Sequence, residues 1–157
     1  MQTLKSVESL SDRMKEVFRF SKALSDDEVK AFLSFCEYRQ GGSGDTLWRE
    51  GDSDNYAVFV ISGKLGIKKK TEFEGKYMIV GTFARGTVVG ELCLLTDHLR
   101  SVTAVVLEPV DIVILTSKNF EMLITEQPSL GLKLLKHIFL VISNRLKRST
   151  DRIAKIF

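Results

Sequence analysis

The chain has 157 residues, 44% apolar and 27% charged, with a net charge of +3 and two cysteines. That describes one ordinary domain, able to bury about 70% of the surface its unfolded chain exposes. It excludes wholesale disorder, a nucleic-acid binder argued from composition, and a disulfide framework. The longest apolar run, Tyr56–Ile61, is far too short to span a bilayer, and no basic-then-apolar leader opens the chain. The expectation is a soluble, cytoplasmic, single-domain protein.

Leu10, Met14, Val17 and Phe18 form an i, i+4, i+7/8 stripe, which predicts a short amphipathic helix. Ser25 and Glu28 have the spacing of a capping box, opening a helix to about Cys36 that buries Leu24, Val29, Phe32, Leu33 and Phe35. From Glu37 to Thr116 glycines punctuate β-rich runs: Thr46–Arg49, Tyr56–Ile61, Lys64–Lys70, Lys76–Phe83, Ser101–Leu107 and Val110–Leu115. Strands at that spacing predict a sandwich or barrel, not βαβ units. Leu65 and Ile67 share one strand face, and Val102, Ala104 and Val106 share another. Ser117 is placed to cap a helix through Glu126, and Pro128 to open a final helix of close to thirty residues toward Phe157.

The stretch from Gly86 to Thr103, GTVVGELCLLTDHLRSVT, is the most informative. Val88-Val89 ends a strand, Gly90 turns, and Glu91–Leu95 has room for one or two helical turns, whose amides and dipole favour an anion. Arg100 has the parity of Val102, Ala104 and Val106, which aims its guanidinium at the barrel interior. A buried charge needs a partner. Glu91 is available within the chain, but a guanidinium beside a helix start suits a phosphate.

At these residues the chain resembles the cyclic nucleotide-binding domain family, which includes the sensor domains of catabolite-activator-type regulators and of cyclic-nucleotide-dependent kinases. The family's phosphate-binding cassette runs roughly G-E-L-x-L-L, a loop, then R-[SA]-x-[TS]. Here it reads Gly90-Glu91-Leu92-Cys93-Leu94-Leu95, then Arg100-Ser101-Val102-Thr103, with Glu50-Gly51-Asp52 and Gly63 upstream. Leu99, Cys93 and Val102 depart from the usual proline, small residue and alanine. The resemblance implies an α+β, mainly β fold: an eight-stranded antiparallel jelly-roll barrel (37–116, cassette 86–103) between N-terminal helices (1–36) and C-terminal helices (117–157). It also implies that Arg100 clamps a cyclic phosphate, helped by Ser101 and the amides near Cys93 and Leu94. Glu91 would accept the ribose 2′-hydroxyl, and Ile67 and Val80 would line the base pocket.

The function expected is a non-enzymatic sensor of a 3′,5′-cyclic nucleotide, cAMP ahead of cGMP, with no cofactor. A jelly roll can also host a metal-dependent cupin, but that needs about three converging histidines. This chain has only His98 and His137. The remaining rival is an interaction scaffold that has lost its ligand. Lys68-Lys69-Lys70 reads as a solvated edge. The chain ends at Phe157 with no recognition helix before it, so no DNA-binding domain is expected.

In the last helix Leu135, Phe139, Ile142, Leu146, Ser149, Ile153 and Ile156 alternate spacings of four and three, the seam of a parallel homodimer. Ser149 and Thr150 either fix its register or donate to the base edge. The second role follows the resemblance, since related regulators carry R-L-x-x-T-S where this chain has Arg145-Leu146-Lys147-Arg148-Ser149-Thr150. The helix is about one turn, roughly 6 Å, longer than usual between Pro128 and Arg145. Counted without that turn, Arg145 itself would face the base.

Overall fold

The computed structural model describes residues 2–157, with side chains described at 8–18 and 20–157. Helices α1 (Gln2–Val17), α2 (Arg19–Lys22) and α3 (Asp26–Ser34) precede strands β1 (Glu37–Gly41), β2 (Thr46–Trp48), β3 (Tyr56–Lys70), β4 (Tyr77–Ala84) and β5 (Val88–Val89). A 3₁₀ turn (Glu91–Leu94), β6 (Thr103–Thr116), α4 (Ser117–Glu126) and α5 (Pro128–Ala154) complete the chain.

The local signals act as their chemistry dictates. Ser25 Oγ accepts from the Glu28 amide while Glu28 accepts from the Ser25 amide, a complete capping box. Glu28 also takes the Lys133 ammonium at 2.9 Å, tying α3 to α5. The cap of α4 is Thr116, not Ser117: its Oγ1 accepts from the Asn119 amide.

The sheet is antiparallel throughout, has six strands and is not closed, which corrects the expectation of an eight-stranded barrel. Two long strands form its spine. β3 pairs β6 from Tyr56↔Thr116 to Lys68↔Thr103; β1 and β2 pair the far edge of β6, and β5 and β4 the far edge of β3. The runs read as Tyr56–Ile61 and Lys64–Lys70 are one strand, bent at Gly63, and Val110–Leu115 continues from the run before it through Pro109. The ladder skips register there, because Pro109 has no N–H to offer it. Gly63 has φ of 85°, and a Cβ on it would sit 2.0 Å from the Pro109 carbonyl oxygen, so only glycine permits this crossing.

The bend turns the two halves of the spine toward each other. Val58, Val60, Leu65, Ile67, Ala104, Val106, Ile112 and Ile114 meet inside, together with Trp48 and Val89. On the outer face Ala57, Phe59 and Ile61 pack against Phe18, Phe20, Phe32, Phe120, Leu134 and Ile138 of the helical layer. Tyr56–Ile61 is continuously apolar because that half of β3 is covered on both faces. No helix among the described residues is long and apolar enough to cross a membrane.

Candidate functional site

Arg100 lies just before β6, held by backbone pairing with the Glu50-Gly51-Asp52 turn. The Gly51 amide donates to the Arg100 carbonyl at 2.7 Å, and the Arg100 amide donates to the Asp52 carbonyl at 2.8 Å. The Glu50 amide donates to Thr103 Oγ1 at 2.9 Å, and Asp52 closes its own turn by accepting from the Arg49 amide. A turn on one side of the sheet thereby sets where the cassette arginine leaves the backbone.

Arg100 is 4% exposed. Nη2 donates to the Tyr56 carbonyl at 2.7 Å and Nη1 to Cys93 Sγ at 3.2 Å. Its guanidinium carbon lies 3.9 Å from the centroid of the Trp48 ring and 4.6 Å from that of Tyr56. Nε is buried without a partner. Among the described residues no carboxylate lies within 4 Å of it. A buried cation held only by rings and neutral acceptors lacks a compensating charge, which an anion can supply.

Gly90 makes this packing possible. Its φ is 78°, and a Cβ there would stand 2.6 Å from Arg100 Nη1. The 3₁₀ turn that follows buries Cys93 and Leu94 and leaves Leu92 exposed. The Cys93 amide, one that the resemblance offers to a phosphate, donates to the Gly90 carbonyl at 3.3 Å.

Glu91 is mostly buried and faces α5, where its Oε1 accepts from Arg145 Nη1 at 3.3 Å. The other end of Arg145 donates to the Val88 carbonyl, and its guanidinium lies 4.6 Å from the Phe83 ring centroid. Burial pulls the Arg145 pKa below its ordinary value, and the Glu91 charge opposes that pull. α5 therefore closes over the cassette with a cation paired to Glu91. Two open clefts lie elsewhere: one of about 460 Å³ between α1, α3 and β1, the other of about 340 Å³ at the β3–β4 turn.

The structure brings Gly90, Glu91, Cys93, Arg100 and Arg145 into one neighbourhood. Ile67 is buried in the same interior cluster as Trp48 and Val89. Val80 is 51% exposed, the extra residue of a bulge between the pairs Ile67↔Gly81 and Lys68↔Ile79. Ser101 is exposed, and its carbonyl accepts from Lys69 Nζ at 2.6 Å. Lys69 also reaches Glu50 at 2.7 Å, so one lysine of the expected solvated edge braces the cassette strand. Ser149 and Thr150 are exposed, the latter donating to the Leu146 carbonyl at 3.0 Å. The residue that α5 presents to Glu91 is Arg145.

Sequence reasoning missed Trp48, Tyr56 and Phe83. Its one available signal was that the single tryptophan of the chain lies two residues before Glu50-Gly51-Asp52.

Residues 39–127 match the family model of the cyclic nucleotide-binding domain. The chain is 28% identical over 152 residues to lysophospholipase nte1 of Neurospora crassa, covering 94% of this chain and 10% of that protein. It is 24% identical over 136 residues to the cAMP-activated global transcriptional regulator CRP of Salmonella typhimurium, covering 86% of this chain and 62% of that one. The chain thus spans about a tenth of the first relative and under two thirds of the second. A cyclic nucleotide-binding domain from Methylobacillus flagellatus, solved by crystallography, is similar with a TM-score of 0.82 at 21% identity, covering 94% of this chain and 85% of that one.

Proposed function

The chain belongs to the cyclic nucleotide-binding domain family, and from that premise we propose that it binds a 3′,5′-cyclic nucleotide without turnover and relays occupancy through α5. The observation that carries this reading is the Arg100 guanidinium: buried, with no acidic partner among the described residues, and with an unpartnered Nε. A cyclic phosphate supplies the missing negative charge with oxygens for in-plane N–H donors. Glu91 then accepts the ribose 2′-hydroxyl. That carboxylate is the one Arg145 engages, so the nucleotide and α5 meet on the same group. Ligand binding shifts the population of α5 positions in proportion to its preference between them.

The preference for cAMP over cGMP leans on the relative named as cAMP-activated. The homodimer leans on the α5 seam, where Phe139 and Leu146 are 73% and 68% exposed. Isothermal titration with both nucleotides tests the reading. Binding of either, cAMP more tightly, supports it. Silence for both at millimolar concentration replaces it with the ligand-free scaffold.

A further inference from the structure

Trp48 is 2% exposed and carries a buried indole N–H with no partner. Apolar side chains such as Val58, Leu65 and Val106 fill the surrounding interior without the desolvation cost of a buried N–H. What the indole does instead is set its ring against the phosphate clamp: its ring centroid is 3.9 Å from the Arg100 guanidinium carbon. Trp48 also pairs with Ala104 across β2 and β6, beyond a register shift that follows Thr46. The contact therefore depends on that irregularity in the ladder.

We infer that Trp48 is a positioning residue for Arg100, fixing the plane of the guanidinium so that its N–H edge stays free for the anion. This rests on the cyclic-nucleotide reading of the site. The reasoning is geometric. Arginine has five N–H donors in one plane. The Tyr56 carbonyl and Cys93 Sγ take one each, and Nε–H is unpartnered. A contact to the guanidinium face holds the group without consuming any in-plane donor, whereas a carboxylate partner would occupy the edge that a phosphate needs. An indole gives the strongest face of the aromatic side chains for a cation. The buried charge is thus tolerated and oriented, and its donors remain available.

The test compares the full-length wild type with Trp48→Phe and Trp48→Leu. By calorimetry with cAMP, Trp48→Phe retains affinity within about threefold, because a ring face is still present, and Trp48→Leu loses at least tenfold. In an Arg100→Lys background, which has no guanidinium plane to hold, Trp48→Leu costs less than threefold. A merely structural role for Trp48 would impose the same loss in both backgrounds, and that result overturns the inference. So does a Trp48→Leu protein that binds like the wild type.

A ligand-free measurement separates this inference from the nucleotide reading. The Arg100 Hε resonance is shifted upfield by the indole ring current in the wild type, is partly so in Trp48→Phe, and returns toward the random-coil position in Trp48→Leu. If the wild type binds neither nucleotide, the nucleotide reading falls and the positioning of Arg100 is decided by that resonance alone. An Hε position identical in wild type and Trp48→Leu overturns the inference whatever the ligand does.

Discussion

Replacing Gly90 by alanine tests the most constrained point of the site, and the structure contains its own control. Gly90 and Gly75 have nearly the same φ, 78° and 72°. A Cβ at Gly75 meets nothing within 4 Å, whereas one at Gly90 lies 2.6 Å from Arg100 Nη1, 3.1 Å from the Tyr56 carbonyl oxygen and 3.2 Å from the Trp48 ring. To restore an ordinary 3.4 Å contact the guanidinium must retreat by roughly 0.8 Å, but Trp48, Tyr56 and Cys93 box it in, so the retreat strains its bond to the Tyr56 carbonyl. Left-handed backbone costs an L-residue about 1–2 kcal/mol in either variant. Overpacking adds about 1–3 kcal/mol at Gly90 only. At about 3 °C per kcal/mol for a chain of this size, Gly75→Ala lowers Tm by roughly 3–6 °C and Gly90→Ala by roughly 6–15 °C. Differential scanning calorimetry measures both. Because the displaced group is the proposed phosphate clamp, cAMP affinity falls at least tenfold in Gly90→Ala and is unchanged in Gly75→Ala. Equal losses of Tm and equal affinities in the two variants refute the geometry argued for Arg100.

Arg100→Ala removes the proposed clamp and weakens cAMP by a hundredfold or so, in line with the roughly 2–5 kcal/mol measured for desolvated charge partners; a calorimetric loss below threefold counts against the assignment. Glu91→Ala weakens cAMP but leaves its 2′-deoxy analogue nearly unaffected, so equal losses for both ligands would show that Glu91 does not read the ribose. Asp111 accepts from Arg13, Tyr38, Gln40 and Ser62. Desolvation pushes its pKa up, but the four hydrogen bonds outweigh that and hold it well below the ordinary carboxylate range. Its folded pKa is thus below the unfolded value near 3.9, so its contribution to stability is present at neutral pH and is lost as pH falls below about 4. Urea unfolding should then show Asp111→Asn less stable than wild type at pH 7, with the gap narrowing at pH 3; a gap that does not depend on pH contradicts this. Leu146→Glu, on the exposed seam of α5, converts the proposed homodimer to a monomer by light scattering without lowering cAMP affinity more than a few fold, and a monomeric wild type removes the dimer outright.

What the sequence determined by itself were features that depend on neighbours within a few residues. The Ser25/Glu28 box needed only a spacing of three, and the two faces of β3 near Leu65 and Ile67 followed from strand alternation. The inward aim of Arg100 followed from the same parity, and its burial agrees even though the strand itself begins only at Thr103. Strand number was different. Gly63 and Pro109 read as breaks in the chain, yet the pairing of β3 with β6 carries both strands through them, because a ladder tolerates a skipped register when its flanking pairs hold it. Tertiary structure alone decided which residue of a 27-residue helix reaches Glu91. Periodicity names the faces of α5, but its position along the cassette is set at the helical layer by Leu130, Leu134 and Ile138, and that puts Arg145 at the site and leaves Ser149 and Thr150 in solvent. Trp48 shows the same limit. Its contact with Arg100 joins residues 52 positions apart through the β2–β6 pairing, and local sequence holds no sign of a contact that exists only once the sheet has formed.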